Sequence, residues 1–228
     1  MCGRYKRRAN RKQIETLFGI ELGPEGVDTE SFEMEPEEEI APGSLQPVVW
    51  LDDAGQRRLT PMRWGFQLPD RFVFNTRSEM ATRSRFWQEA FHLRRCLIPA
   101  DGFFEWSPRD GRAKTKYTFT VDDDALVGLA GVWSPWLNPK TGRNENTFSI
   151  LTGAARELMA PCHDRQPAMI DPVNFAPFLA PTTPEPAKLL EFYSTGRMRA
   201  TAVAAPASRD KQNSAQGLLF AFEDEASQ

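Results

Sequence analysis

Hydrophobic positions come in short runs separated by polar turns, with no long apolar stretch anywhere. Between Asn10 and Gly19, Ile14, Leu17 and Phe18 fall on one helical face. Asn10 stands where a cap belongs and Gly19 where a helix can stop, so a short helix is predicted. Pro47–Leu51 and Leu59–Met62 read as strands flanking the turn Asp52-Asp53-Ala54-Gly55, and Phe72–Asn75 as a further short strand. Ser78–Phe91 predicts a helix with Phe86, Ala90 and Phe91 on one side. Strands follow at Leu97–Pro99, Phe103–Trp106, Tyr117–Val121 (after a turn at Arg109-Asp110-Gly111), Leu126–Val132 and Thr147–Leu151. Asp171-Pro172 and Thr183-Pro184 each put a capping residue before proline, predicting helices over Val173–Leu179 and Ala187–Tyr193. Ala200–Ala204 is a last strand. Short strands at close spacing with helices between them predict one α+β domain over residues 1–228 with a mostly antiparallel sheet.

Composition adds boundaries to this picture. The chain has 228 residues, 40% of them hydrophobic, which is enough to build a core without staples. No run of about 18 apolar residues exists, so no membrane span is expected. The start, Met1-Cys2-Gly3-Arg4-Tyr5-Lys6-Arg7-Arg8, lacks the apolar stretch of a secretory signal, which makes the expected location cytoplasmic, on the bacterial nucleoid when acting on DNA. Three cysteines, Cys2, Cys96 and Cys162, form no CxxC pair and fit a reducing compartment. With only His92 and His163 besides, neither a metal nor a cofactor is expected.

The net charge of −3 argues against nucleic-acid binding until its distribution is examined. Arg4, Lys6, Arg7, Arg8, Arg11 and Lys12 stand among the first 12 residues with no acid, whereas residues 13–39 carry ten acids and no base. The rest is nearly balanced. Charge at the binding surface decides affinity for a polyanion, so the acidity is a local matter. Residues 21–39, with Pro24, Gly26 and Pro36, read as an acidic surface loop, and residues 221–228 as a frayed tail.

Four features carry candidate chemistry. If Met1 is removed, Cys2 presents an α-amine and a thiol on adjacent carbons, both partly nucleophilic near neutral pH. An aldehyde would meet the amine first, giving an imine, and the thiol would then close a thiazolidine ring. By position alone, Cys2 reads more readily as a chance residue at a mobile end. Residues 56–95 hold nine arginines interleaved with Trp64, Phe66, Phe72, Phe74, Phe86, Trp87 and Phe91. That is the composition of a single-strand binding groove, or else of a core with a solvated face. Glu105 lies between Phe104 and Trp106; it is either a carboxyl with acid–base duties or an exposed glutamate on a half-buried strand. His163, in the loop Cys162-His163-Asp164-Arg165-Gln166-Pro167, suits proton transfer, with a structural role as the alternative.

Taken together, these pieces resemble the SRAP (SOS-response-associated peptidase) family, viewed as abasic-site processing proteins. The resemblance rests on Met1-Cys2-Gly3-Arg4-Tyr5, Ile40-Ala41-Pro42-Gly43, Arg63-Trp64-Gly65-Phe66, Asn75-Thr76-Arg77-Ser78-Glu79, the block Arg95–Trp106, and His163-Asp164-Arg165 followed by Pro167. It implies a twisted, partly barrel-like antiparallel sheet surrounded by helices. It also implies a function: sensing abasic sites in single-stranded DNA and holding them as a covalent thiazolidine cross-link, in the DNA damage response. Cys2 would be the nucleophile, Asn75 would orient it, and Glu105 and His163 would move protons. Arg4, Arg77 and Arg85 would hold phosphates, while Trp64, Trp106 and Pro42 would line the pocket of a monomeric protein. The chain departs from the family pattern at Glu39, usually Asn, at Gln67-Leu68-Pro69-Asp70, usually bearing tryptophan, and at Gln166, usually Met; Ser208–Asn213 is a loose match to a Val-Asn pair. Two other functions use the same features: an N-terminal-nucleophile cysteine peptidase limited to self-processing, and a non-catalytic single-strand binder indifferent to Cys2 and to the lesion.

Overall fold

The computed structural model describes residues 2–21, 34–107 and 114–203. In chain order the elements are β1 (Arg4–Arg7), α1 (Arg11–Phe18), β2 (Glu37–Ile40), β3 (Leu45–Leu51), β4 (Arg57–Trp64), β5 (Phe66–Gln67), β6 (Phe72–Val73), β7 (Asn75–Arg77), α2 (Ser78–Ala81), α3 (Gln88–Leu93), β8 (Arg95–Ala100), β9 (Gly102–Trp106), β10 (Lys116–Val121), β11 (Val127–Leu137), β12 (Asn144–Ala154), β13 (Arg165–Pro167), β14 (Met169–Ile170), α4 (Phe175–Leu179) and β15 (Met198–Ala202).

Local signals explain several of these. Asn10 accepts from the Gln13 backbone N–H at 3.0 Å, and the Gln13 side chain accepts from the Asn10 N–H at 2.9 Å. This reciprocal pair satisfies two donors that the first turn of α1 would otherwise leave unpaired. Gly19 closes the helix with φ 57, a left-handed conformation that side chains disfavour.

The larger sheet closes on itself. β12 pairs with β4, β4 with β3, β3 with β8, β8 with β11, and β11 again with β12. All contacts in this five-membered ring are antiparallel except β12–β4. β7 and β13 pair with the end of β12, and β14 with the start of β11. Burial explains why β8 reads as unbroken apolar sequence. Cys96, Ile98 and Ala100 join one core cluster, with Val48, Met62, Trp64, Phe148 and Ile150. Leu97 joins the other, with Val49, Ala130, Leu151, Phe91, Phe175 and Phe178. A strand covered on both faces has no polar alternation to show. A second, five-stranded sheet in the order β15-β10-β9-β1-β2 adds Tyr5, Phe103, Phe119 and Val121 to the first cluster.

Three expectations are corrected. The helix predicted over Ser78–Phe91 is broken into α2 and α3, with turns from Thr82 to Trp87 between them. The Ser84 hydroxyl accepts from the Phe86 N–H at 3.3 Å, a local alternative to helical pairing. No α-helix spans Ala187–Tyr193; a 3-10 turn occupies Pro186–Leu189 instead. Pro184 and Pro186 lack N–H donors, Glu185 before Pro186 is held outside helical geometry (φ −133, ψ 62), and Glu191 exchanges backbone bonds with Met169. Of the acidic stretch predicted as a loop, residues 22–33 lie outside the described residues, and its end is not loop. Residues 37–40 form β2, because Glu37 lies opposite Arg7 and Ile40 opposite Tyr5. The predicted turn at 109–111 and the tail 221–228 lie outside the described residues.

Gly131 sits where β11 closes the ring. A Cβ there would stand 2.5 Å from Ile98 Cδ1 and 3.1 Å from the Ser149 carbonyl oxygen. Gly131→Ala is expected to cost about 1–3 kcal/mol from overpacking, lowering the calorimetric midpoint by about 2–12 °C at 2–4 °C per kcal/mol. An unchanged midpoint would show that the ring is slack here.

Candidate active site

Cys2 precedes β1, which lies between β2 and β9, and it has no exposed surface. Its carbonyl accepts from Asn75 Nδ2 at 2.8 Å, and its Sγ lies 3.5 Å from the Arg4 carbonyl oxygen, to which it donates. Asn75 begins β7 and is placed by that strand's parallel pairing with β12, where Asn75 lies opposite Ile150. With Nδ2 bound to Cys2, the buried Asn75 Oδ1 has no hydrogen-bond partner among the described residues. It is an acceptor held beside the Cys2 backbone.

Glu105 reaches the same place from β9. Arg4 pairs with Phe104, so the register carries the start of the chain alongside Glu105 and Trp106. Glu105 is buried rather than exposed, which removes the surface-glutamate alternative. Burial, then the negative charge of Glu105, push the Cys2 thiol up to about 12. The same two causes raise Cys162. Linkage has a definite sign here. The folded state holds the Cys2 proton more tightly than the ordinary value of 9.0, so this stabilisation is full below pH 9 and lost as pH rises toward 12.

His163 follows β12 in a turn where its N–H donates to the Met159 carbonyl at 3.1 Å. Its neighbour Cys162 packs on the cluster that holds Cys2. The Arg165 backbone N–H at 2.9 Å and Asp164 Oδ1 at 2.8 Å both face His163 Nδ1. The first contact requires a lone pair on that nitrogen and the second a proton. Nδ1 therefore has a partner in either protonation state, a useful property for a proton carrier. Cys2, Asn75 and Glu105 thus converge, and the His163 turn packs onto their cluster.

The polar rim is more selective than its composition suggests. Six of the nine arginines in 56–95 are engaged within the protein: Arg57 with the Phe18 carbonyl, Arg58 with Asp52, Arg63 with Glu145, Arg71 with Asp70, Arg94 with Glu89, and buried Arg95 with the Phe178 and Ala180 carbonyls. Arg77, Arg83 and Arg85 are exposed and carry no ion pair among the described residues. Phe86, 44% exposed, stands on the same turn and packs on Trp87 and Trp136. Sequence reasoning assigned phosphate roles within 56–95 to Arg77 and Arg85 only; Arg83 and Phe86 belong to the same arginine–aromatic stretch, and the helix break shows that both are surface residues.

Trp64 needs correction as a pocket wall. It has no exposed surface, donates to the Phe74 carbonyl at 2.9 Å, and packs between Tyr5, Phe74 and Phe148 in the cluster containing Cys2. Its place is beneath the site. Trp106 is half-buried at the rim, with Lys116 Nζ 5.5 Å from its ring centre. Pro42 is half-buried in the turn before β3. Arg4 is half-exposed, 2.7 Å from the Gly3 carbonyl and 3.4 Å from Glu39. Glu39 also holds Lys116 at 2.5 Å. The departure from the family pattern at residue 39 therefore places a carboxylate between two cations of the rim. Among the described residues, no group of three or more His, Cys, Asp or Glu could hold a metal ion, and no helix is long and apolar enough to cross a membrane.

Comparison with known proteins places the chain in a family and its fold among solved structures. Residues 1–208 match the family model for SRAP, SOS response associated peptidase, and the chain belongs to that family. It is 28% identical to the abasic site processing protein YoqW of Bacillus subtilis, over 94% of this chain and 97% of that protein. It is 26% identical to the abasic site processing protein YedK of Escherichia coli, over 75% and 76% of the two chains. A crystal structure of a protein from Bacteroides thetaiotaomicron has a TM-score of 0.76 at 21% identity, covering 89% of this chain and 92% of that one. A phage-related protein from Bordetella bronchiseptica has a TM-score of 0.70 at 23% identity, covering 90% and 95%. These two likenesses show the fold, a mixed α+β domain containing a barrel-like sheet.

Neutralising Glu105 removes one of the causes that raise the Cys2 thiol. In protein labelled with [13C]cysteine, the Cβ shift of Cys2 is expected to titrate with a midpoint near 12, and Glu105→Gln to bring it down. A midpoint that stays in place would refute the electrostatic link.

Proposed function

We propose that this protein processes abasic sites in single-stranded DNA by covalent capture through Cys2, once Met1 is gone. The observation that carries the proposal is the 2.8 Å bond from Asn75 to the Cys2 carbonyl. It holds a residue that its position would leave frayed inside a buried site beside Glu105. The names of the relatives supply the substrate class, and the exposed arginines supply the means to hold a polyanion.

The chemistry balances with one water released. The ring-opened sugar of an abasic site presents an aldehyde. The α-amine of Cys2 adds to its carbon, and the carbinolamine loses water to give an imine. The sulfur then bonds to the imine carbon while its proton passes to nitrogen, closing a thiazolidine. A thiol with so high a pKa does not ionise spontaneously at neutral pH, so its proton needs a carrier; Glu105 takes that role. Asn75 Oδ1 orients the amine by accepting one of its N–H bonds. His163 supplies or removes a proton at the sugar oxygen as the ring opens. Arg4, Arg77 and Arg85 bind phosphates, Arg4 after exchanging Glu39 for DNA, with Trp106 and Pro42 bordering the lesion and Trp64 supporting the site from below.

Processed protein mixed with single-stranded DNA containing one abasic site is expected to give a shifted band on a denaturing gel, absent with Cys2→Ala. No band, or a band that survives Cys2→Ala, would overturn the proposal. If the protein were only a self-processing peptidase, Glu105→Ala and His163→Ala chains would retain Met1 by mass spectrometry and no adduct would form. Arg77→Gln or Arg85→Gln is expected to weaken binding to lesion-free single strands and reduce the slope of log affinity against log salt by about 0.7 each. An unchanged slope would remove that arginine from the binding surface.

A further inference from the structure

Arg165 lies two residues beyond His163, and its side chain reaches across β12. Its two terminal nitrogens each donate at 2.7 Å to one oxygen of Glu79, a bidentate pair, and one of them also donates to the Thr152 carbonyl. Glu79 lies in α2, four residues after Asn75. On one side of β12, β7 pairs so that Arg77 lies opposite Thr152. On the other, β13 pairs so that Pro167 lies opposite the same Thr152 and Arg165 opposite Ala154. The Glu79–Arg165 pair therefore spans β12 and ties together the strands that flank it. One brings Asn75, which holds Cys2; the other brings Arg165, whose backbone N–H holds His163 Nδ1 at 2.9 Å.

We infer that Glu79 and Arg165 are positioning residues whose ion pair sets the placement of the His163 imidazole relative to Asn75 and Cys2. The inference rests on the proposed capture chemistry for its consequence, though not for its geometry. The alternative use of Arg165, as a phosphate ligand, fits the structure less well. The Arg165 side chain is only 10% exposed, and both fork nitrogens are already taken, whereas the Glu79 side chain is 55% exposed. A bidentate guanidinium–carboxylate pair fixes orientation as well as distance, and lysine cannot reproduce it. The hydrogen bonds from Arg165, more than its charge, hold the Glu79 carboxyl down to about 2. Glu79 thus stays charged and paired at all ordinary pH, and its stabilising contribution is lost only as pH falls below the usual carboxyl range toward 2.

Glu79→Ala separates positioning from binding. On the inference, adduct formation slows about ten-fold or more, since small misplacements of a reacting group carry large rate penalties. Affinity for a lesion-free single strand holds or rises, because a carboxylate near exposed Arg77 has been removed. Glu79→Gln, which can keep one hydrogen bond to Arg165, recovers part of the rate. The imidazole NMR signals of His163, one of only two histidines, move in Glu79→Ala while those of His92 stay. A rate that falls only in step with lesion-free affinity, or His163 signals that do not move, would overturn the inference. Failure of the unsubstituted protein to form an adduct would instead overturn the proposed function, and the His163 signals would still decide the geometry.

Discussion

The pairing of β12 with four other strands is the constraint from which the rest of the architecture follows. Residues 144–150 face β11 and residues 152–154 face β13, while β4 pairs at 147–148 and β7 at 150–152. The pairing with β4 closes the ring, the pairing with β7 delivers Asn75, and the pairing with β13 sets the chain downstream of His163. A one-residue slip would turn every side chain of β12 to the opposite face. Phe148 and Ile150 would leave the core cluster they share with Cys2, and Asn75 would lose its register. Fold and site are therefore specified by the same hydrogen bonds.

Around that frame the electrostatics are arranged by burial. A cysteine with no exposed surface beside a buried glutamate is a poor spontaneous nucleophile, and its thiol is pushed up accordingly. In exchange, whatever enters the site meets fixed partners in a medium that screens them weakly. Inertness toward bulk solvent and strong interactions within the site come from one environment. The rim follows another rule. Most of its arginines are held by carboxylates or carbonyls, and Glu39 keeps Arg4 and Lys116 occupied. Surface pairs of this kind are weak enough to exchange partners when a strand with many charges arrives.

Local chemistry was legible in the chain and non-local pairing was not. The cap at Asn10, the stop at Gly19 and the turn after β3 act over a few residues and leave plain marks. The parallel contact of Thr147 with Arg63 joins residues more than 80 positions apart and leaves none, so ring closure could not be read from periodicity. Glu105 was ambiguous because alternation gives the facing of a residue and not what covers it. The arginines of 56–95 looked alike in sequence, yet only their partners divide them into structural and exposed sets. Trp64 was misplaced for the same reason: an aromatic in a motif next to the site can support it from below as well as border it. Cys2 was the extreme case. Its position argued for a frayed end, and the bond that anchors it comes from Asn75, which no local pattern connects to it. The resemblance to a family brought these residues together before the fold did.

The interior position of β1 bears on how an adduct could be undone. β1 is hydrogen-bonded on both sides, by β2 and β9, and Tyr5 is buried behind the site. A DNA lesion attached at Cys2 would be tethered through a strand that cannot be extracted without opening the five-stranded sheet. A protease trimming such a conjugate would find no loose stem between DNA and globule. Its attack would wait on unfolding, so the persistence of the conjugate would be governed by the mechanical resistance of the sheet and not only by the strength of the covalent bond.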